Sequence, residues 1–535
     1  MYEITGRNFY VFRWAKLVGV AITLLAGLLE CTARAQYCSS PCLTSAQNTF
    51  LNNLMAYASI SAPDANGNVT ITFGQPSHGV NIQVVNGTGA TPTATGYGNL
   101  IIGYGYVGGA TQSGSHMLVV GEGHSYTSFG GIVAGFSNTA TGPWSSVCGG
   151  EYNTAAAPGA VACGGFHGAA TGSESSVLGG AYNSAQGYGD VAVGGYYNTA
   201  NCGPNGSENQ PLETTVVGGD YNSVGGALSV IVGGRLGAIP TGNSQDVFIG
   251  GESNTASNVG SSFSVVVGGN ANSASGGWST VSGGQNNQAS GAYASVSGGI
   301  YNNASGSNSS VSGGYGNQAT SSYSWVGGGY DNLSNGTVSS VDGGANNVAS
   351  GYAAWVGGGN ANTAADQYSG IAGGYYNSIP AGNGWQTILG GGRNTASGTA
   401  ATVSGGYYNT ANQTYSSVAA GAYNSATGSY SSVVGGYNNT ASGAYASATA
   451  GNGNQATGDY SSVTGGVGNV AAGGSYAYTT VSGGHGNNAS GQVSTVSGGN
   501  NSSAANYESV VAGSSVSDSS WGPGTEWVGG SYHTP

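Results

Sequence analysis

The chain reads Val281-Ser282-Gly283-Gly284-Gln285-Asn286-Asn287-Gln288-Ala289-Ser290-Gly291-Ala292-Tyr293-Ala294-Ser295 and then starts again at Val296-Ser297-Gly298-Gly299. A valine, glycines at +2 and +3, asparagine at +6, alanine at +8 and often glycine at +10 return every 15 residues, at Val311, Val326, Val341, Val356 and Ile371. Further anchors precede this block at Leu100, Leu118, Ile132, Val147, Ala162, Val177, Ala192, Val216, Ile231, Phe248 and Val266. Others follow at Ile388, Val403, Val418, Val433, Ala448, Val463, Val481, Val496, Val511 and Trp527. This gives 28 units, with 19 of 27 intervals equal to 15. The longest step, 24 residues from Ala192 to Val216, reads as a surface loop inserted around Asn201 to Glu213.

A fixed period of this length marks a repeat architecture. The anchor alternates with small residues and closes on Gly-Gly, which describes a short strand and a tight bend, because glycine adopts positive φ freely. The Asn-x-Ala-x-Gly segment gives a second strand and a second bend. Two strands and two corners in 15 residues make one coil of a solenoid. Coils in a parallel stack sit about 4.8 Å apart, so like residues lie on like, and asparagine is expected to form an amide ladder. The expected fold class is all-β, a parallel β-roll or β-solenoid of about 28 coils, preceded by a small α+β cap.

Composition agrees. The 535 residues include 105 glycines without a three-residue period and only 12 prolines, which excludes a collagen helix. Hydrophobic residues at 39% and 35 tyrosines argue against disorder. At the amino end, Arg7, Arg13 and Lys16 precede an uncharged, mostly apolar run from Leu17 to Leu29, and Ala33-Arg34-Ala35 offers a cleavage site. Residues 1–35 are therefore expected to be a secretory signal peptide, leaving no transmembrane segment after cleavage. Residues 36–98 follow as the cap, with Thr44–Tyr57 at helical spacing and Asn68–Phe73 and Val80–Val85 alternating like strands. The roll is expected over 99–530, with a tail at 531–535.

From Gln36 onward two cations, Arg235 and Arg393, face 17 carboxylates, a net charge of −15. That sign excludes tracking of phosphates, hence nucleic-acid binding, and attraction to anionic lipid. Cys38 and Cys42 form a Cys-x-x-x-Cys pair suited to an exported chain, and Cys148 and Cys163 both stand at +1, one coil apart, which makes a cross-rung disulfide candidate. The histidines are scattered and show no zinc spacing, so no metal and no cofactor is expected.

Units such as Gly436-Tyr437-Asn438-Asn439-Thr440-Ala441-Ser442-Gly443-Ala444-Tyr445-Ala446-Ser447, and the earlier Asn99-Leu100-Ile101-Ile102-Gly103, resemble the YadA-like head repeats of trimeric autotransporter adhesins. The resemblance covers about Asn99 to Gly530. It implies a left-handed β-roll, a homotrimer, and a bacterial outer-surface head that binds host matrix, glycan or another cell-surface ligand. Two features depart from that family. No apolar heptad or set of long amphipathic strands follows the roll, which puts self-anchoring in doubt, and +2 is mostly glycine where the family usually carries a branched residue.

Aromatic residues recur at +12, among them Trp144, Trp278, Tyr293, Tyr323, Tyr368, Tyr415, Tyr430, Tyr445 and Tyr460, and again at +4 or +5, including Tyr301, Tyr315, Tyr330, Tyr375, Tyr407, Tyr423 and Tyr437. On a nearly uncharged face such files suit sugar rings or a partner surface; equally, they cover corners or an inter-chain seam. Asp190, Asp220, Asp331 and Asp342 stand in separate units and read as solvated surface charges, so no clustered acid–base pair supports a carbohydrate-active enzyme. The sequence thus points to an exported, non-enzymatic adhesion or structural protein. The alternative is a monomeric secreted solenoid on a regular surface such as ice or polysaccharide, although no outward Thr-x-Thr ladder runs through the units.

Overall fold

The computed structural model describes residues 83–85, 88–104, 109–203, 213–242, 245–257, 263–518 and 527–529, with a few positions before 74. The chain divides into residues 1–84 and 85–535. In the first unit, Ala58–Ile60 pairs antiparallel with Ile71–Phe73. Ser45, Ala46, Thr49 and Asn52 are helical, while Gln83, Val84 and Val85 are irregular. The remainder of the expected cap, the signal segment, and Cys38 and Cys42 lie outside the described residues.

The second unit is a parallel β-solenoid of about 27 turns, from Leu100–Ile102 to Trp527–Gly529. Most turns place one short strand in each of two parallel sheets. Equivalent residues stack in register, Val281 on Val296 on Val311 in one sheet and Ala289 on Ala304 on Ala319 in the other. All six are fully buried. Parallel stacking of identical turns makes every turn pack on its own likeness, so a narrow interior is filled by one valine, one alanine and one asparagine per turn.

The corners explain the spacing of the pattern. Strand amides donate to the following turn, as Ser295 N–H does to Ser309 O at 3.0 Å. At two corners the chain enters the left-handed region and the amide turns back: Tyr301 (φ 57) donates to Gln285 O at 3.0 Å, and Tyr293 (φ 58) to Gly277 O at 2.7 Å. Left-handed backbone is unfavourable for a non-glycine residue, and these inter-turn bonds over-determine it. The side chains at both corners stand on the outer surface.

The asparagine ladder differs from the expected amide-to-amide chain. Asn347 Oδ1 accepts the backbone N–H of Asn362, while Asn347 Nδ2 donates to Gly343 O and Gly359 O. The rungs therefore run through the backbone, with direct side-chain bonds added between Asn332 and Asn317 and between Asn469 and Asn454.

Two further expectations are corrected. Near the ends the inward residue is one place later than the anchors Leu118, Ile132 and Trp527: Val119 and Val133 are fully buried, and Val528 pairs with Val511 while Trp527 is 74% exposed. In Leu118-Val119-Val120 the apolar run has no alternation to fix the face, and a slip of one residue exchanges inside for outside. Asp190 is not a surface charge. It is fully buried and accepts N–H bonds from Gly187, Cys202 and Thr214 and the Thr214 hydroxyl. Asp246 is also buried and accepts from the amide and hydroxyl of Ser264. Both stand at −2, one turn before a lengthened coil, where an insertion displaces the usual acceptors and a carboxylate supplies replacements. Asp220, Asp331 and Asp342 are exposed.

Cys148 and Cys163 are disulfide-bonded across adjacent turns, with Cα atoms 4.6 Å apart. Cys202 is free and buried, and burial, followed by the neighbouring Asp190, pushes its thiol up to about 12, which keeps it protonated.

Candidate functional site

With the interior filled, contact chemistry belongs to the outer surface, and its most ordered features are the two aromatic corners. At the first corner Tyr415, Tyr430, Tyr445, Tyr460 and Tyr478 form one uninterrupted stack. Successive centroids are 5.0, 4.8, 4.9 and 4.8 Å apart and the interplanar angles lie between 3° and 21°. The spacing is that of the coils, so the backbone period itself sets the ring separation.

Four of the seven tyrosines expected as a binding file thus come together, joined by Tyr478. The other three do not join them. Tyr293 stacks on Trp278 and Tyr368 on Trp385, while the adjacent turns at this corner carry Asn308 and Val338 beside Tyr323.

The second corner holds a run that the offset from the anchor could have revealed but that was not singled out: Tyr152, His167, Tyr182, Tyr197 and Tyr221, stacked at 4.9, 5.1, 4.6 and 5.1 Å. Phe136, Phe166 and Tyr196 meet this stack edge-on from the neighbouring +4 file. Further along, Arg393 lies between the rings of Tyr376 and Tyr408, 5.3 and 5.2 Å from their centroids, and donates to the Tyr408 hydroxyl.

Face-to-face stacking decides what a partner can touch. Each ring's π-faces are covered by its neighbours, so the stack offers ring edges and hydroxyl groups at the coil spacing. Stacking a sugar on a ring face is confined to the stack ends, beside Ala400 at one end and Val493 at the other. Phenol chemistry follows. Tyr460 is held above its ordinary value by desolvation first, then by Tyr478, Tyr445, Tyr476 and Asp459, and Tyr407 is raised by desolvation and then Tyr408. These hydroxyls stay protonated donors at neutral pH.

Both cations after Gln36 are engaged within the roll: Arg393 in its ring sandwich, raised chiefly by its bond to Tyr408, and Arg235 in an ion pair with Glu252 at 2.6 Å. No group of metal-ligating side chains occurs among the described residues, and no helix among them is long and apolar enough to cross a membrane. No protein-family model matches the chain, and no curated protein matches it.

Proposed function

We propose that the chain is an exported, non-enzymatic adhesion or structural module: a stiff rod, homotrimeric, that works in the extracellular space or on a cell surface and meets matrix, glycan or cell-surface ligands through its corners. The observation that carries this reading is the filled interior of valine, alanine and asparagine, which leaves regular outer files as the places for contact. The likeness of the repeat to YadA-like heads supplies the trimer. Few apolar side chains are buried per turn against many ordered backbone residues, and lateral packing between chains would add the missing burial.

The test is the absolute mass of the chain from Gln36 onward, by light scattering during size exclusion. A mass three times that of the chain supports the trimer. A stable monomer ends it and favours the second reading, a lone rod lying on a regular surface. One observation supports that second reading: pairs such as Ser295 and Ser297, Ser462 and Thr464, and Thr495 and Ser497 flank inward valines, so hydroxyl groups line the outer face of the first sheet.

A further inference from the structure

On that outer face the flanking residues are hydroxyl-bearing in some turns and aliphatic in others, and three turns share a different pair. Trp325-Val326-Gly327, Trp355-Val356-Gly357 and Trp527-Val528-Gly529 place tryptophan at −1 and glycine at +1 around an inward valine. Among the described turns, tryptophan occurs at −1 only in these three, and glycine at +1 only in these three. The other turns carry a side chain at +1, such as Ser312, Ala372 or Leu389.

The reason is steric. Residues at −1 and +1 point to the same side of the strand. A Cβ on Gly327 would run into Asp342 O and lie 3.1 Å from Trp325 Cζ2 and Cη2, one on Gly357 would lie 2.7 Å from Ala372 O and 2.8 Å from Trp355 Cζ2, and one on Gly529 would lie 3.0 Å from Trp527 Cζ3. Each indole therefore leans along its own strand over the bare glycine backbone instead of standing off the sheet. Gly370, beside Trp355 in the next turn, keeps that flank low as well.

Hydrogen bonds fix the orientation. Trp355 Nε1 donates to Asp342 Oδ1 at 3.0 Å and Trp325 Nε1 to Ser312 Oγ at 3.3 Å, each reaching the preceding turn. Trp325 and Trp355 remain 38% and 40% exposed. They are aligned through Ser340, which pairs with both, so the indoles lie in one file two turns apart, about 10 Å.

We infer that Trp325 and Trp355 form a flat binding platform for an extended, uncharged, β-1,4-linked polysaccharide chain running along the roll. A laid-down indole offers its free face to the axial C–H groups of a pyranose, a contact that the tyrosines inside the corner stacks, with both faces covered, do not offer. Alternate sugars of an extended β-1,4 chain present the same face at the disaccharide repeat, which fits a two-turn spacing. Equatorial hydroxyls at the rim meet Ser310, Ser312 and Ser340. The charge selects the class: Asp342 lies between the rings and no cation stands on this face, which disfavours uronic acids and sulfated chains. The platform adds a site to the function proposed above and does not depend on the trimer. A monomer that binds through these residues upholds the site while ending the oligomer.

Affinity electrophoresis of the chain from Gln36 onward, in gels containing hydroxyethylcellulose or soluble starch, tests this. Retardation by the β-1,4 polymer and not by the α-linked one is expected, with at least tenfold weaker binding in the Trp325→Ala/Trp355→Ala double variant. Trp355→Ala alone, which leaves one indole of the pair, should weaken binding to an intermediate extent. Unchanged circular dichroism and melting in each variant keep the comparison about binding. The platform is overturned if hydroxyethylcellulose does not retard the wild-type chain, if starch retards it equally, or if the double variant binds as well as wild type.

Discussion

Asn302 donates its backbone N–H to Oδ1 of Asn287, 2.9 Å away, and its own Oδ1 accepts from the N–H of Asn317 at 2.9 Å. Its Nδ2 donates to Gly298 O at 2.9 Å and Gly314 O at 3.0 Å. One buried amide thus satisfies three backbone groups in two successive turns, and the backbone N–H of the same residue ties it to a third. Asn302→Ala would leave the Asn317 N–H and Gly298 O unpaired, while Gly314 O keeps the Ile300 N–H; at about 1 kcal/mol or more for each unpaired group, a loss of about 2 kcal/mol is expected. Because stability in a solenoid is divided among neighbouring repeats, the effect should appear as faster amide exchange confined to the turns around 287–317. Unchanged protection there would show that the ladder contributes little.

The paired glycines are not equivalent. Gly299 has φ +86 and a Cβ on it would collide with Gly314 O, whereas a Cβ on Gly298 meets nothing within 4 Å. Gly299→Ala combines left-handed strain with a backbone clash and should destabilise by about 3 kcal/mol. Gly298→Ala should fall within about 0.5 kcal/mol of wild type. Urea unfolding of the two variants gives a direct comparison, and equal losses would contradict this account of the bend.

Acid should loosen the roll at particular turns. Asp366 is buried; desolvation pushes its carboxyl up, but bonds from Gly384 N–H, the Gln386 side chain, Gln367 N–H and Gly382 N–H outweigh it and hold the group below its ordinary value. Asp518 is lowered in the same way, against desolvation, by Ala505 N–H, the Ser509 hydroxyl and Asn506 N–H. A carboxylate lowered on folding contributes stability that is complete above the unfolded value near 3.9 and disappears as pH falls through the folded one. The turns around 366–386 should therefore keep their exchange protection at pH 5 and lose it below about pH 4. Asp366→Asn, which sets an NH₂ group among N–H donors, should show the loss already at pH 7. A variant as protected as wild type at neutral pH would remove the carboxylate from this role.

The period and the inward positions were legible because valine, alanine and asparagine recur at the positions that a turn buries against its copy, as Val296, Ala304 and Asn302 do. What lay hidden depended on which side of the strand a residue faces. Leu118 and Val119 are equally apolar, and choosing between them needs the neighbouring turn. Asp190 looked like an isolated surface charge, yet its place at −2 ahead of the 24-residue step was the available clue, since a longer coil brings extra amides inward. The aromatic files were legible as offsets, but the covering of ring faces was not. The Trp-Val-Gly turns do not stand out in the repeat, because their meaning lies in the pairing of −1 with +1, two positions that each vary from turn to turn.

The tyrosine stack allows its two readings to be separated. At the equivalent corner other turns carry alanine in the same left-handed conformation, Ala353 and Ala400 among them, so Tyr430→Ala is compatible with the backbone. It removes the ring contacts to Tyr415 and Tyr445, worth about 0.5–1.5 kcal/mol each, and should cost about 1–2 kcal/mol without loss of the fold. A second variant, Tyr415→Phe, Tyr430→Phe, Tyr445→Phe and Tyr460→Phe together, keeps the stack and deletes only the outward hydroxyls. If the corner serves to cover the roll, this variant should match wild type in both stability and adhesion to matrix or glycan surfaces. If the corner is a contact surface, stability should hold while adhesion falls several-fold, because edges and hydroxyls are all that the stack presents outward. Equal adhesion by the four-fold variant would assign the tyrosines to cover alone.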